Sequence, residues 1–165
     1  MIGQRTLAVV LAALSALGTA GCSVPADPEG TLDRARHGEL VVGVSHSPPW
    51  TDARGSAPTG TEPELVRSFA DSLDAEVDWE VAGEERLMTL LEEGDLDLVV
   101  GGLTTDSPWT SEAALTTDYT TTPGSDGGKD RHVMAVRMGE NALQTELERH
   151  LLSPEVQERL RETAP

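Results

Sequence analysis

Leu40–Trp50 reads LVVGVSHSPPW, Gly60–Leu73 reads GTEPELVRSFADSL, and Gly94–Trp109 reads GDLDLVVGGLTTDSPW. Leu40–Ser45 is short, rich in β-branched residues and bounded by polar ones, which predicts a buried strand. Thr61 stands where a helix N-cap is expected, with Glu64 at N3 to complete a capping box. Pro63 falls in the first turn, where a missing N–H is tolerated. Leu65, Val66, Phe69, Ala70 and Leu73 then recur on one face of that helix. In Glu76–Ala82 (EVDWEVA) apolar residues alternate with charges, as in a half-exposed strand. Leu87, Leu90 and Leu91 mark a second helix with Gly94 just past its end. Leu96–Gly102 (LDLVVGG) is another buried strand. The order strand, helix, strand, helix, strand predicts α/β architecture: one lobe built on a mostly parallel sheet, with helices on both faces making three layers. Sites in such sheets lie in the loops at the C-terminal strand ends, here Ser45–Gly60 and Gly101–Tyr119.

Working outward, residues 120–131 (TTTPGSDGGKDR) are expected to be loop. His132–Met138 reads as a strand, and Leu143, Leu147, Leu151 and Leu152 define a helix. Ser153 and Pro154 look like the cap and first residue of one more. Upstream, Arg5 precedes an apolar run of 11 residues, Leu7–Leu17, and small residues lead into Cys22. That is the layout of an export signal. A spanning helix needs roughly 20 apolar residues, so no permanent membrane span is expected. The expected organisation is a signal peptide over 1–21, a lipidated tether over 22–30 and one domain over 31–165. Cys22 is the only cysteine, so no internal disulfide is possible. Thr19-Ala20-Gly21-Cys22 resembles the bacterial lipoprotein cleavage site, although Thr19 stands where Leu is usual. The resemblance implies lipid on Cys22 and a position on the outer face of a membrane. The formal net charge of −17 repels nucleic acid and anionic lipid, so no nucleic-acid partner is expected.

The series LVVGVSHSPPW, GTEPELVRSFADSL, GDLDLVVGGLTTDSPW and ALTTDY (Ala114–Tyr119) resembles the first lobe of bacterial extracellular solute-binding proteins, family 3. The resemblance implies lobe 1 of a type II periplasmic binding protein, a small-molecule solute and a membrane transporter as partner. Two departures bear on function. Residues 120–131 are too few for the second lobe that closes on the solute in this family. The family's Thr-x-Thr, followed three residues later by an Arg that grips the ligand α-carboxylate, reads Thr104, Asp106 and Trp109 here. A carboxylate would meet a negative charge and no cation, so a cationic or neutral solute is expected instead.

The candidate ligand-binding residues are Trp50, Glu62, Thr104, Asp106 and Trp109. Four of them have a plainer role open to them. Trp50 could cap the sheet end, Trp109 could pack into the core, Glu62 could complement the helix dipole, and Asp106 could cap its loop. Together, two indoles and two carboxylates would suit a cation. Trp79, on an alternating strand, reads as structural. His37, His46, His132 and His150 are scattered without metal-ligand spacing, so neither metal nor cofactor is expected. Gly43-Val44-Ser45-His46-Ser47 lacks the final Gly of a nucleophile elbow. Gly127-Gly128-Lys129-Asp130 lacks the Ser or Thr of a P-loop. No nucleophile, base and oxyanion set assembles, so no enzyme is expected. Besides solute binding, a protein-interaction module built on the same lobe fits the sequence.

Overall fold

A computed structural model describes residues 27–125 and 127–163. The export signal, Cys22 and the first part of the tether lie outside the described residues. The chain runs α1 (Thr31–Ala35), β1 (Glu39–Val44), α2 (Thr61–Ser72), β2 (Glu76–Val81), α3 (Glu84–Glu93) and β3 (Leu98–Val100). A 3₁₀ turn at Pro108–Ser111 leads into β4 (Ala113–Leu115), β5 (Thr120–Pro123), β6 (Lys129–His132), β7 (Ala135–Arg137), α4 (Asn141–Leu151) and α5 (Pro154–Thr163). Five strands form one sheet in the order β2-β1-β3-β7-β4. β1 pairs in parallel with β2 and β3, while β7 runs antiparallel to both β3 and β4. Four of the five strands therefore point one way, and the sheet is mostly parallel.

Alternation along the strands sends side chains to two separate cores. Leu98 and Val100 join Leu40, Val42, Val44 and Val136 beneath α1, α2, α4 and α5. Val99 and Ala135 face the other way, against Leu87, Met88, Leu90 and Leu91 of α3. This is the three-layer lobe expected, and each such side chain fully buried contributes roughly 1.5–3 kcal/mol. At the N-terminal end of the sheet, Asp97 accepts two hydrogen bonds from Arg34 (2.7 and 3.3 Å) and one from the Val41 N–H (2.9 Å). That pairing stitches α1 to β1 and to the entry of β3. At the same end, buried Glu140 accepts the N–H groups of Glu29 (3.2 Å) and Thr31 (3.4 Å). The last residues of the expected tether are therefore docked on the domain.

Three local expectations need correcting. Residues 120–131 are not all loop: β5 and β6 pair antiparallel, from Thr120 opposite His132 to Pro123 opposite Lys129. The Gly- and Pro-rich composition marks only the tip, where the Gly124 N–H donates to the Gly128 carbonyl. β-branched threonines carry the strand before it. His132–Met138 is not one strand either. The Val133 N–H donates to the Leu103 carbonyl and the Met134 N–H to Thr116 Oγ1, which separates β6 from β7. Finally, Thr61 is the first helical residue of α2, and Gly60 precedes it without a side-chain cap. The Glu62 N–H is satisfied instead by the Trp50 carbonyl at 3.2 Å, so no capping box is needed. Ser153 behaves as expected, its Oγ accepting the Val156 N–H at 3.4 Å at the start of α5.

Candidate functional site

The C-terminal ends of β1 and β3 open into the two loops that carry most of the candidate residues. After β1 the chain folds back on itself: Ser47 and Thr51 exchange backbone hydrogen bonds at 3.0 Å, and Thr51 Oγ1 donates to the Ser45 carbonyl. The fold-back turns Trp50 inward, leaving it 8% exposed. Gly60 lets the start of α2 lie against this loop, because a Cβ there would stand 2.5 Å from the Trp50 carbonyl oxygen. Its φ of +114° is also one that a side chain disfavours.

Trp50 stacks on His132, with ring centroids 3.8 Å apart, and meets Tyr119 edge-on at 6.5 Å. The Tyr119 hydroxyl donates to Glu62 Oε1 at 2.7 Å, and the Gly102 N–H donates to Glu62 Oε2 at 2.9 Å. His132 Nε2 shares a hydrogen bond with Thr122 Oγ1 at 2.9 Å, while its Nδ1 is buried with no partner among the described residues. The cluster thus ties the β1 loop, α2, the end of β3 and the β5–β6 hairpin into one knot.

Burial dominates its electrostatics. Glu62 is wholly buried, and desolvation pushes its pKa up to about 7 against the opposing hydrogen bonds from Gly102, Tyr119 and Gly101. Tyr119 is raised well above its ordinary value, by burial first and then by the Glu62 charge. His132 is lowered by burial, with Asp130 opposing, which favours its neutral imidazole. On the outer side of the loop, Arg54 holds the Asp52 carboxyl well below the usual carboxylate range, with His46 Nδ1 3.4 Å away.

Thr104 and Asp106 lie in the loop that follows β3. The Ser107 N–H donates to the Thr104 carbonyl at 3.0 Å, closing a turn whose tip is Thr105 and Asp106. Thr104 bridges to His132, and the Thr105 N–H donates to the Arg131 carbonyl at 2.9 Å, so the turn is fixed to β6. Asp106 at the tip is exposed. Trp109 does not join the cluster. Its indole N–H donates to Glu84 at the start of α3, and its ring packs against the second core. The structure therefore connects Trp50, Glu62 and Thr104, holds Asp106 on the same turn as Thr104, and sends Trp109 elsewhere. The Glu62 carboxylate faces Gly102 and Tyr119, beneath the surface rather than on it.

Sequence reasoning missed Tyr119 and His132. Tyr119 closes the ALTTDY stretch that helped to place the fold, but no spacing rule aims its hydroxyl at Glu62. His132 carries no signal of its own, because its contact with Trp50 depends on a hairpin whose sequence has the composition of a loop.

The family model of bacterial extracellular solute-binding proteins, family 3, matches residues 40–160. A membrane-bound lytic murein transglycosylase F of Vibrio cholerae is 31% identical over 85 residues, which are 50% of this chain and 16% of that protein. The chain thus spans only 16% of the length of the curated relatives it matches. Among solved structures, the arginine-bound form of domain 1 from TmArgBP superposes at a TM-score of 0.62 with 23% identity, covering 72% of this chain and 95% of that one. The ancestral amino acid-binding protein AncCDT-1, a precursor of cyclohexadienyl dehydratase, superposes at 0.67 with 14% identity, covering 80% of this chain and 97% of that one. At these identities the structures share the fold.

Proposed function

This chain belongs to the bacterial extracellular solute-binding proteins, family 3, and from that premise we propose that it is exported, held to the outer face of a membrane by lipid on Cys22, and offers one solute-binding lobe to a membrane transporter. A solute-binding-like role and export follow from the family itself. The lipid anchor rests on the Thr19–Cys22 pattern, and the transporter on the family resemblance. The role is binding without catalysis.

Exposed Asp106, on a turn fixed to β6 where this loop has no arginine, carries the proposal for solute class. A carboxylate brought beside it is repelled, and a cation is attracted. At an effective dielectric of about 20, two charges roughly 4 Å apart interact by about 4 kcal/mol. An open lobe screens that strongly, yet each 1.4 kcal/mol is still about tenfold in affinity. Cationic or neutral solutes are therefore favoured over carboxylates, with weak affinity, since a single lobe leaves much of a ligand exposed. The arginine-bound form of domain 1 from TmArgBP supports a single lobe of this fold as a holder of a cationic amino acid.

Calorimetric titration of a diamine, a quaternary amine and glutamate into the chain tests this. Measurable heats for the two cations and none for glutamate are expected. Tight glutamate binding would overturn the assignment of the site. Silence from all three would put the rival reading, a protein-interaction module on the same lobe, in front.

A further inference from the structure

The formal net charge is −17, and nearly every described Lys or Arg side chain is matched inside the fold. Most are ion-paired, from Arg34 with Asp97 to Arg161 with Glu158. Arg67 donates to the Pro58 carbonyl and lies over the Trp79 ring. Two are different: among the described residues, the side chains of Lys129 and Arg131 have no partner. Both belong to β6 at a two-residue spacing, so they share one face of the hairpin. In the hairpin register Thr121 stands opposite Arg131, and Pro123 opposite Lys129. All four residues are exposed, while the opposite face carries buried His132 onto Trp50.

A complementary strip lies on the same molecule. β2 is one of the two edge strands of the sheet. Glu76, Asp78 and Glu80 are exposed along one of its faces, while Val77 and Trp79 pack against the core on the other. In register Glu76 stands beside Glu39 of β1. Among the described residues none of these carboxylates has a basic partner. Alternate residues along a strand recur about every 6.6–6.8 Å, whichever strand they are on. The spacing of the cations on β6 therefore matches the spacing of the carboxylates on β2.

We propose that the outer face of the β5–β6 hairpin docks on β2 of a second copy of this chain, with Lys129 and Arg131 meeting Glu76, Asp78 and Glu80. A two-fold arrangement forms the contact twice, hairpin to strand in both directions. Salt at physiological strength screens charges beyond about 8 Å, so the net repulsion between copies is muted while the close pairs survive. Exposed ion pairs hold weakly, which makes this an association of concentrated protein. It is independent of whether the lobe binds a solute.

Sedimentation equilibrium of the full chain up to millimolar concentration tests it with reciprocal charge reversals. The wild-type chain dimerises. K129E/R131E weakens the association by roughly tenfold or more, and E76K/D78K/E80K does the same. An equimolar mixture of the two variants recovers it, because each then supplies the surface that the other reversed. Circular dichroism confirms that both variants, altered only at exposed positions, stay folded. A wild-type chain that stays monomeric throughout overturns the proposal, as does dimerisation indifferent to K129E/R131E or a mixture that does not recover. Tighter self-association of E76K/D78K/E80K alone also overturns it, since that variant lowers the net negative charge and would then be obeying general repulsion.

Discussion

Burying the Glu62 carboxyl costs more when it is charged than when it is neutral, and the folded chain therefore holds its proton more tightly than the unfolded chain does. With a folded pKa of about 7 against an ordinary 4.5, the folded state carries the extra proton between those values. Stability is then greatest below the lower value, falls as pH rises through the window, and levels off above about 7. The loss amounts to about 3 kcal/mol. His132 and His150, both lowered by burial, act in the opposite sense: their contribution is full above the ordinary histidine value and declines as pH falls below it. The comparison that isolates Glu62 is denaturant unfolding of wild type and Glu62→Gln at pH 5, 6, 7 and 8. The difference between the two curves should shift by roughly 2–3 kcal/mol across that range. A difference independent of pH would mean that Glu62 ionises as an exposed carboxyl does.

The junction of the β1 loop with α2 depends on Gly60. Its backbone lies in a region reserved for glycine, and any Cβ would collide with the Trp50 carbonyl. Gly60→Ala should therefore cost about 2 kcal/mol or more and displace Trp50 from its stack on His132. Gly55→Ala is the control, since a Cβ there meets only ordinary contact at 3.4 Å. Denaturant midpoints of the two variants decide it: equal midpoints would show that the loop accommodates the added methyl group by shifting freely. The sequence displays the elements far better than such junctions. β1, α2, β2, α3 and β3 were legible because their apolar periods of 2 and 3.6 are set by burial on the sheet. The hairpin was not, because Gly and Pro at its tip mask two four-residue strands whose pairing the composition does not show. The same limit applied to the site. Trp50 and Glu62 could be picked by position, but that Glu62 faces Tyr119 beneath the surface, and that Trp109 turns to Glu84, follows from tertiary packing alone.

The loops at the C-terminal strand ends and the docked end of the tether sit at opposite poles of the sheet. Ser45, Gly101 and Gly102 close the C-terminal ends of β1 and β3, whereas Glu140 holds Glu29 and Thr31 at the N-terminal end. If Cys22 carries lipid, Cys22→Ala should move the protein from the membrane fraction to the surrounding medium or periplasm, as immunoblots of fractionated cells would show. Unchanged membrane association of that variant would sink the anchor. With the anchor in place, the Glu140 clasp acts as a compass needle. Only four residues, 23–26, separate Cys22 from Asp27, a reach of about 18 Å at full extension. The domain can swivel on that leash, but its open loops lie at the pole farther from the point of attachment. The six-residue β1 interposes about another 20 Å. A proposed transporter that takes a solute from this face would then reach past the sheet to the pole remote from the anchor.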